Sequence, residues 1–517
     1  MYLVTTREMQ AMDRRTIESF GLPGRILMEN AGRGATAAIL DTFPDLAAHR
    51  VGVIAGPGNN GGDGYVIARC LSQRDVAVTV FLLADRARIA GDAAANLDLL
   101  APLGVPVVEV PTLAAFDEVR SALREPDIWV DALLGTGLQS EVRSYYKEAI
   151  DFINSRGRPV FAVDVPSGLN ADTGQPCGTC IRATATATFG FAKMGHYQFP
   201  GSDLSGRLHV VDIGIPPHVV ADIAPRQLLL TADDVTNSLA PRAPDSHKGR
   251  SGHLLVLAGA PGKSGAASMT ARAALRAGAG LVTLAAPASI NAILAAGAPE
   301  VMTALLPEID GGRLGLSSFE PLCGLLDGKR CLALGPGLGQ APETADLLRR
   351  VVAESRLPLV IDADGLNNLT GAVAMLAQRA APVVLTPHPG EMARLAQTSV
   401  TVVQSDRIAC AREFAQAFKV HLVLKGAGTV IAHPDGFVFV NATGNSGMAS
   451  GGMGDALTGL IAGFIVQGFP VAAACHLGVY LHGAAADRQA VCKGPWGYLA
   501  SDVIEAIPSE IKRHLER

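Results

Sequence analysis

The sequence predicts an α/β protein made of two domains, each a parallel sheet covered by helices on both faces. Three observations carry that prediction. The 517 residues exceed what one ordinary hydrophobic core holds. Short apolar, β-branched runs alternate with helix-length segments, the pattern of strands buried on both faces. The alternation stops once, in a polar and proline-punctuated stretch, and then restarts.

In the first half the strand-like runs are VGVIAG from Val51, VAVTVFLL from Val76, DIWVDALLG from Asp127, PVFAVDVPSG from Pro159, TATATFGF from Thr184 and RLHVVDIG from Arg207. The break runs from Ile215-Pro-Pro through TADDVTNSL to APRAPDSHKGRSG. The second series is HLLVLAG, GLVTLAAP, CLALGPG, PLVIDADG, PVVLTPHPG and HLVLKGAG. A boundary near residue 225 is expected, giving domains over 1–225 and 226–517. In open parallel sheets ligands bind beyond the carboxyl ends of the strands, and nearly every glycine-rich or polar motif here begins at such an end.

Composition narrows the function. A formal charge of -5 with 18% charged residues supplies no footprint for nucleic acid or an anionic membrane. The eight cysteines form no framework, and the opening MYLVTTREMQAMDRRTIESFG lacks the pattern of a secretory signal, so a reducing, cytoplasmic setting is expected. Cys177-Gly-Thr-Cys180 has redox or half-zinc spacing but no second pair beside it. The apolar stretch Ala456 to Ala486 is interrupted at Gln467-Gly468-Phe469-Pro470 and His476, which predicts two buried helices and no membrane span.

Three loops in the first half have the chemistry of a site. GPGNNGGDG, Gly56 to Gly64, joins a strand to a helix start, where free amides and the helix dipole suit a diphosphate. DALLGTGLQSE and VDVPSGLNADTG repeat the arrangement with Asp131 and Asp164 at strand ends. Singly, each reads as a tight turn, a loop acid or a helix cap. Together with MENAG at Met28 to Gly32, these motifs resemble the YjeF N-terminal domain, the NAD(P)H-hydrate epimerase family, over roughly the first 220 residues. The resemblance implies a Rossmann-like parallel-sheet sandwich. It assigns the substrate site to Asn59, Asn60, Gly61, Gly62 and Asp63, to Gly135, Thr136, Gly137, Leu138, Gln139, Ser140 and Glu141, and to Tyr146, with Asp164 as the catalytic acid/base. It also implies a potassium ion (K+) held by Asn60, Asp131 and Ser167, whose oxygen-only donors suit a hard cation.

In the second half, Gly262-Lys263-Ser264-Gly265 is not a P-loop, because GxxxxGK[ST] requires glycine where Leu257 stands. The run GNSGMASGGMGD, ending at Asp455, is the better phosphoryl site. Amides of its loop and helix start can stabilise a transferring phosphoryl group while Asp455 takes a hydroxyl proton. The alternative is an acid serving only the helix dipole, worth about 0.3–1 kcal/mol. HKGRSGHLLVLAGAPGKSGAASM, GPGLG, IDADGLN, TPHPGEM and LKGAGTVI, in that order over about residues 230 to 510, resemble the YjeF C-terminal domain, the ADP-dependent NAD(P)H-hydrate dehydratase family of ribokinase-like fold. That resemblance implies Ala267, Gly337, His388 and catalytic Asp455 at the hydrate. It gives Lys425, Gly426, Ala427, Gly428, Thr429 and Gly454 to the nucleotide, with Mg2+ organised through Glu391. Asp362 and Asp364 either share that task or cap a loop. His388 alone reads as a satisfied histidine, and Lys425 alone as a strand-end lysine.

The two resemblances imply one repair enzyme. The first half interconverts the R and S epimers of NADH and NADPH hydrates, and the second dehydrates the S form with ADP, giving AMP and phosphate. Two rivals share these folds: a vitamin-precursor kinase for the second half and a non-catalytic scaffold for the first. Lys263 departs from the aromatic or other residue expected there. The small-residue helix Ala266 to Ala279 is compatible with packing inside the domain or across a homo-oligomer.

Overall fold

A computed structural model describes residues 1–138 and 140–516, so Gln139 lies outside the described residues. The chain divides into two compact units, Tyr2–Gln227 and Leu228–Arg517, with Met1 grouped with the second.

The first unit carries a seven-stranded parallel sheet. From edge to edge its strands are Val107–Glu109, Ala77–Leu82, Arg50–Ala55, Ile128–Ala132, Val160–Val163, Ala185–Phe189 and Arg207–Val211. Period-2 alternation explains why these strands read as continuously apolar. Val51, Val53, Ala55, Val130 and Ala132 face the core beneath the helices Gly24–Thr42 and Asn59–Ser72. Ile54 and Trp129 face the opposite core, with Ala149, Ile150 and Ile153 of the helix Ser144–Ser155. The chain proceeds outward from Arg50–Ala55 to one edge, then returns to place Ile128–Ala132 on its other side. The order therefore reverses between these two strands, and the crevice at their carboxyl ends is where such sheets bind ligands.

The second unit repeats this logic. Its strands run Met302–Leu306, Leu281–Pro287, His253–Leu257, Cys331–Leu334, Leu359–Ile361, Val383–Leu385 and His421–Leu424 in parallel, followed by antiparallel Thr429–Ala432 and Val438–Asn441. The reversal lies between His253–Leu257 and Cys331–Leu334. The apolar stretch expected to divide at Gln467–Pro470 forms two helices, Met453–Val466 and Val471–Lys493. No helix among the described residues is long and apolar enough to cross a membrane.

The small residues of Ser264–Ala277 serve packing inside this unit. A Cβ on Gly459 of Met453–Val466 would strike the Thr270 carbonyl oxygen, and one on Gly463 would lie 2.7 Å from the Ala274 carbonyl oxygen. Glycine at both positions lets the helix carrying Asp455 approach its neighbour closely.

Two candidate active sites

In the first unit, the loop after Arg50–Ala55 turns into the helix Asn59–Ser72 so tightly that Gly61 lies against the Gly56 carbonyl oxygen, with no room for a Cβ. The first intrahelical bond runs from the Gly62 amide to the Gly58 oxygen, 3.1 Å, so the amides before it have no helical acceptor. They border a cavity of about 600 Å³ at the strand-order reversal. Asn59, Asn60, Asp63, Gly135, Thr136, Gly137, Leu138, Tyr146 and Asp164 line it. Gly61 and Gly62 are buried in the turn beneath. Ser140 and Glu141, which the resemblance assigned to this site, are exposed and outside its wall; Glu141 instead pairs with Arg143 at 3.4 Å. The chain there leaves the sheet for the surface.

Asp164 stands at the end of Val160–Val163 with φ +64°, a left-handed conformation costing a non-glycine residue of order 1–3 kcal/mol. Its Oδ1 accepts hydrogen bonds from the Lys193 ammonium (2.6 Å) and the Thr188 hydroxyl (3.1 Å). Burial alone would raise this carboxyl, but the Lys193 charge and hydrogen bond outweigh it and hold it below its ordinary value. Asp63 is pushed the other way, by burial and by the charges of Asp164 and Asp13.

Asp131 and Ser167 form a buried pair beneath the same loops. The Ser167 amide donates to Asp131 Oδ2 at 2.7 Å, and its hydroxyl to Oδ1 at 2.5 Å. Both polar atoms of the Asn60 side chain are buried and unpartnered, and a Cβ on neighbouring Gly135 would lie 3.3 Å from Asn60 Oδ1. An orphaned amide oxygen beside a buried carboxylate and a hydroxyl is a donor set that a monovalent hard cation fits.

In the second unit, a cavity of about 450 Å³ is lined by Lys263, Ala266, Gly337, Asp364, Glu391, Gly452 and Asp455 among others. The loop before Asp455 is tied down from behind: Asp487 accepts from the Gly444 amide and the Asn445 side chain, each at 2.9 Å, and Asn445 Oδ1 accepts from the Tyr498 hydroxyl at 2.6 Å. Gly452, at φ +89°, caps the helix without a side-chain bond, leaving the first-turn amides unclaimed. The Asp455 carboxyl makes no hydrogen bond among the described residues. Burial, reinforced by the charges of Asp362, Asp364 and Glu391 and opposed by Lys425, raises its carboxyl to about 7. An acid serving only the helix dipole would be shifted the other way.

The surrounding charges are organised by two strand ends. Asp362 is buried and takes the Lys425 ammonium at 2.7 Å and the Thr458 hydroxyl at 2.8 Å. Asp364 takes Lys263 at 3.0 Å and the Gly339 amide at 2.8 Å. Ala363 between them has φ +50°, the same kind of strained strand end as Asp164. Four carboxylates thus face two ammonium groups, an excess that a hard cation relieves. Among the described residues no cluster of three or more His, Cys, Asp or Glu forms a metal cage. Magnesium needs only one or two carboxylates when phosphates complete its shell, so the residues fit it.

His388, Lys425 to Thr429, Gly454 and Ala267 are not part of the wall of this cavity. His388 caps the helix Pro389–Leu395, its Nδ1 accepting the Gly390 and Glu391 amides at 3.0 and 3.3 Å, which leaves Nε2 as the protonated nitrogen. The Lys425 to Thr429 turn is held by Arg407, which donates to the Leu424 and Lys425 carbonyl oxygens at 3.1 and 3.3 Å. A Cβ on Gly454 would lie 3.2 Å from Lys425 Nζ, which brings the helix start and the turn together. Ala267 is fully buried in the core, and its neighbour Ala266 forms the cavity wall.

Two family models match the chain: "YjeF-related protein N-terminus" over residues 24–195 and "NAD(P)H-hydrate dehydratase" over residues 254–509. A bifunctional NAD(P)H-hydrate repair enzyme of Moorella thermoacetica is 43% identical, covering 100% of this chain and 97% of that protein. The chain belongs to the bifunctional NAD(P)H-hydrate repair enzymes. The Escherichia coli member of this family is 38% identical, over 96% of this chain and 91% of its own. The ADP/ATP-dependent NAD(P)H-hydrate dehydratase of Bacillus subtilis, crystallised with ATP and Mg2+, is 31% identical with a TM-score of 0.50, covering 56% of this chain and 98% of its own. The first unit is thus a parallel-sheet α/β fold, and the second resembles the solved NAD(P)H-hydrate dehydratase of Bacillus subtilis.

Sequence reasoning overlooked Lys193, Asp13, Arg407 and Thr458. Lys193 closes the short strand Ala192–Lys193 and is fully buried, and it carries no local motif. Arg407 and Thr458 act across long sequence separations and leave no local pattern.

Proposed function

We propose that the first unit interconverts the two C6 epimers of NADH and NADPH hydrates and that the second dehydrates the S epimer using ADP. Asp455 carries the reading: a carboxyl poised near neutrality, free of protein partners, at the head of a helix whose amides are open to a phosphoryl group. It takes the proton of the C6 hydroxyl as that oxygen attacks the β-phosphorus of ADP, releasing AMP. Phosphate then leaves, pushed by the N1 lone pair, which forms N1=C6; loss of a C5 proton to solvent returns that pair to N1 and restores the C5=C6 bond of the reduced ring. Hydroxide would leave far more slowly. Gly454 and the Met453 amide face the transferring charge. Lys425 and the turn to Thr429 hold the nucleotide, and Ala266, Gly337 and His388 Nε2–H position the hydrate.

Glu391 and Asp364 would hold Mg2+, which would supply charge neutralisation for the phosphates. Asn60, Asp131 and Ser167 would hold K+, which would supply positive charge under the loops that receive the substrate. Asp164, kept ionised by Lys193, accepts a proton in epimerisation, and the amides of the Gly58–Gly61 turn receive the diphosphate. Eight unpaired cysteines agree with a reducing, cytoplasmic setting.

The test is a pair of variants assayed on separated epimers. Asp455→Ala is expected to lose dehydration and keep epimer exchange, and Asp164→Ala the reverse. A phosphorylated hydrate that accumulates without restoring NADPH absorbance would instead identify the second unit as a simple kinase.

A further inference from the structure

The cavity of the first unit contains an acid that nothing above has used. Asp13 lies on the helix Thr6–Arg15 and shares the cavity wall with Asp63, Asp164 and Lys193. Its Oδ1 is buried and has no hydrogen-bond partner. A buried carboxylate oxygen without a donor is costly, and a carboxylic acid is the form such a site tolerates. The charges agree: four carboxyls, Asp13, Asp63, Asp92 and Asp164, share this wall with one ammonium, and Lys193 is bonded to Asp164. Asp63 follows the first turn of Asn59–Ser72 and is buried. Of the four, Asp13 alone has a buried carboxyl oxygen without a hydrogen-bond partner.

We propose that Asp13 is a second proton carrier of the epimerising site, the acid against which Asp164 acts as base. The proposal rests on the reading of this cavity given above. Epimerisation through C–O cleavage needs two proton transfers of opposite sense. Asp13 gives its proton to the C6 hydroxyl; the C6–O bond breaks with its electron pair on the departing water, and the N1 lone pair forms N1=C6. A water then adds to C6 from the other face, the N1=C6 pair returns to N1, and Asp164 takes the proton released. One water leaves and one enters. The enzyme ends with Asp13 ionised and Asp164 protonated, the state that drives the opposite conversion, and one proton transfer through solvent resets it.

The environments are matched to these roles. Burial, opposed by Lys193 and aided by Asp164, raises the Asp13 carboxyl to about 6, while Asp164 is held low. Two acids pushed apart in this way mark an acid and a base.

The experiment uses the full chain and purified R and S hydrates of NADPH in oxygen-18 water. Asp13→Asn is expected to lower kcat of epimerisation by about 10²- to 10⁴-fold with little change in KM, while dehydration of the S form by the second unit reports intact protein. Asp13→Glu, which keeps a transferable proton, is expected to recover a large part of the rate and decides the matter should the asparagine variant fail to fold. In the unmodified enzyme, solvent oxygen-18 is expected in the C6 hydroxyl at the rate of epimer exchange. If Asp13→Asn epimerises normally while Asp164→Asn is inactive, the inference falls and the site stands. If both variants epimerise normally, the reading of the cavity falls as well. Retention of the original hydroxyl oxygen would overturn the C–O step.

Discussion

The pH dependence of dehydration follows from the position of Asp455. Its carboxyl is raised to about 7, first by burial and then by Asp362, with Lys425 pulling it down. A general base works only when ionised, so activity is lost as pH falls through that value. With an ionisation near 7, roughly a tenth of the enzyme carries the base form at about pH 6 and roughly nine-tenths at about pH 8, so kcat rises by about tenfold across that interval. Lys425→Met removes the charge that holds the carboxyl down and moves the acidic limb to higher pH. Asp455→Asn removes the limb and lowers kcat by about 10²- to 10⁴-fold. The assay is the return of reduced-nicotinamide absorbance at saturating ADP, Mg2+ and S hydrate, with the nucleotide's own ionisation measured separately. An activity flat from about pH 5 to about pH 8, as an ordinary exposed aspartate would give, refutes the reasoning.

Other consequences are more local. Asn60→Ala removes the orphaned amide oxygen and is expected to abolish any difference in epimerisation rate between potassium and sodium buffers, measured at constant ionic strength. Gly459→Val forces side-chain atoms onto the Thr270 carbonyl and is expected to destabilise the second unit by about 1–3 kcal/mol, read as a lower Tm by calorimetry. His433 is hydrogen-bonded to His421 and His476, each at 2.8 Å, and burial holds all three histidines below their ordinary value, His476 down to about 4. The unfolded chain therefore binds more protons: the stability these histidines contribute is complete above about pH 6.5 and is lost as pH falls toward 4. Denaturant midpoints measured across that range are expected to fall, and less so in His476→Phe.

Much of this architecture was legible because both units are parallel sheets buried on two faces. Strands such as VGVIAG and HLLVLAG read as unbroken apolar runs, and their ends mark the ligand side. Asp164, Asp455 and the glycine turn at Gly56–Gly61 could be named from sequence because strand end, glycine and acid are contiguous in the chain. Lys193 and Asp13 could not. Each reaches the cavity from an element remote in sequence from the loops it serves, and neither carries a local motif. Ser140 and Glu141 show the converse: a contiguous motif runs past the wall of the cavity to exposed positions, and only the path of the backbone decides where the wall ends. Ala266 and Ala267 differ by one residue on a helix, about a hundred degrees of rotation, which the periodicity of an alanine-rich segment does not resolve.

The central claim is that the second unit removes the C6 hydroxyl as phosphate. Incubating the enzyme with ADP, Mg2+ and S hydrate labelled with oxygen-18 at that hydroxyl, then weighing the inorganic phosphate by mass spectrometry, tests it directly. The account predicts one labelled oxygen in each phosphate released, with one AMP formed for each reduced dinucleotide regained. Unlabelled phosphate, with the heavy oxygen in bulk water, would contradict it.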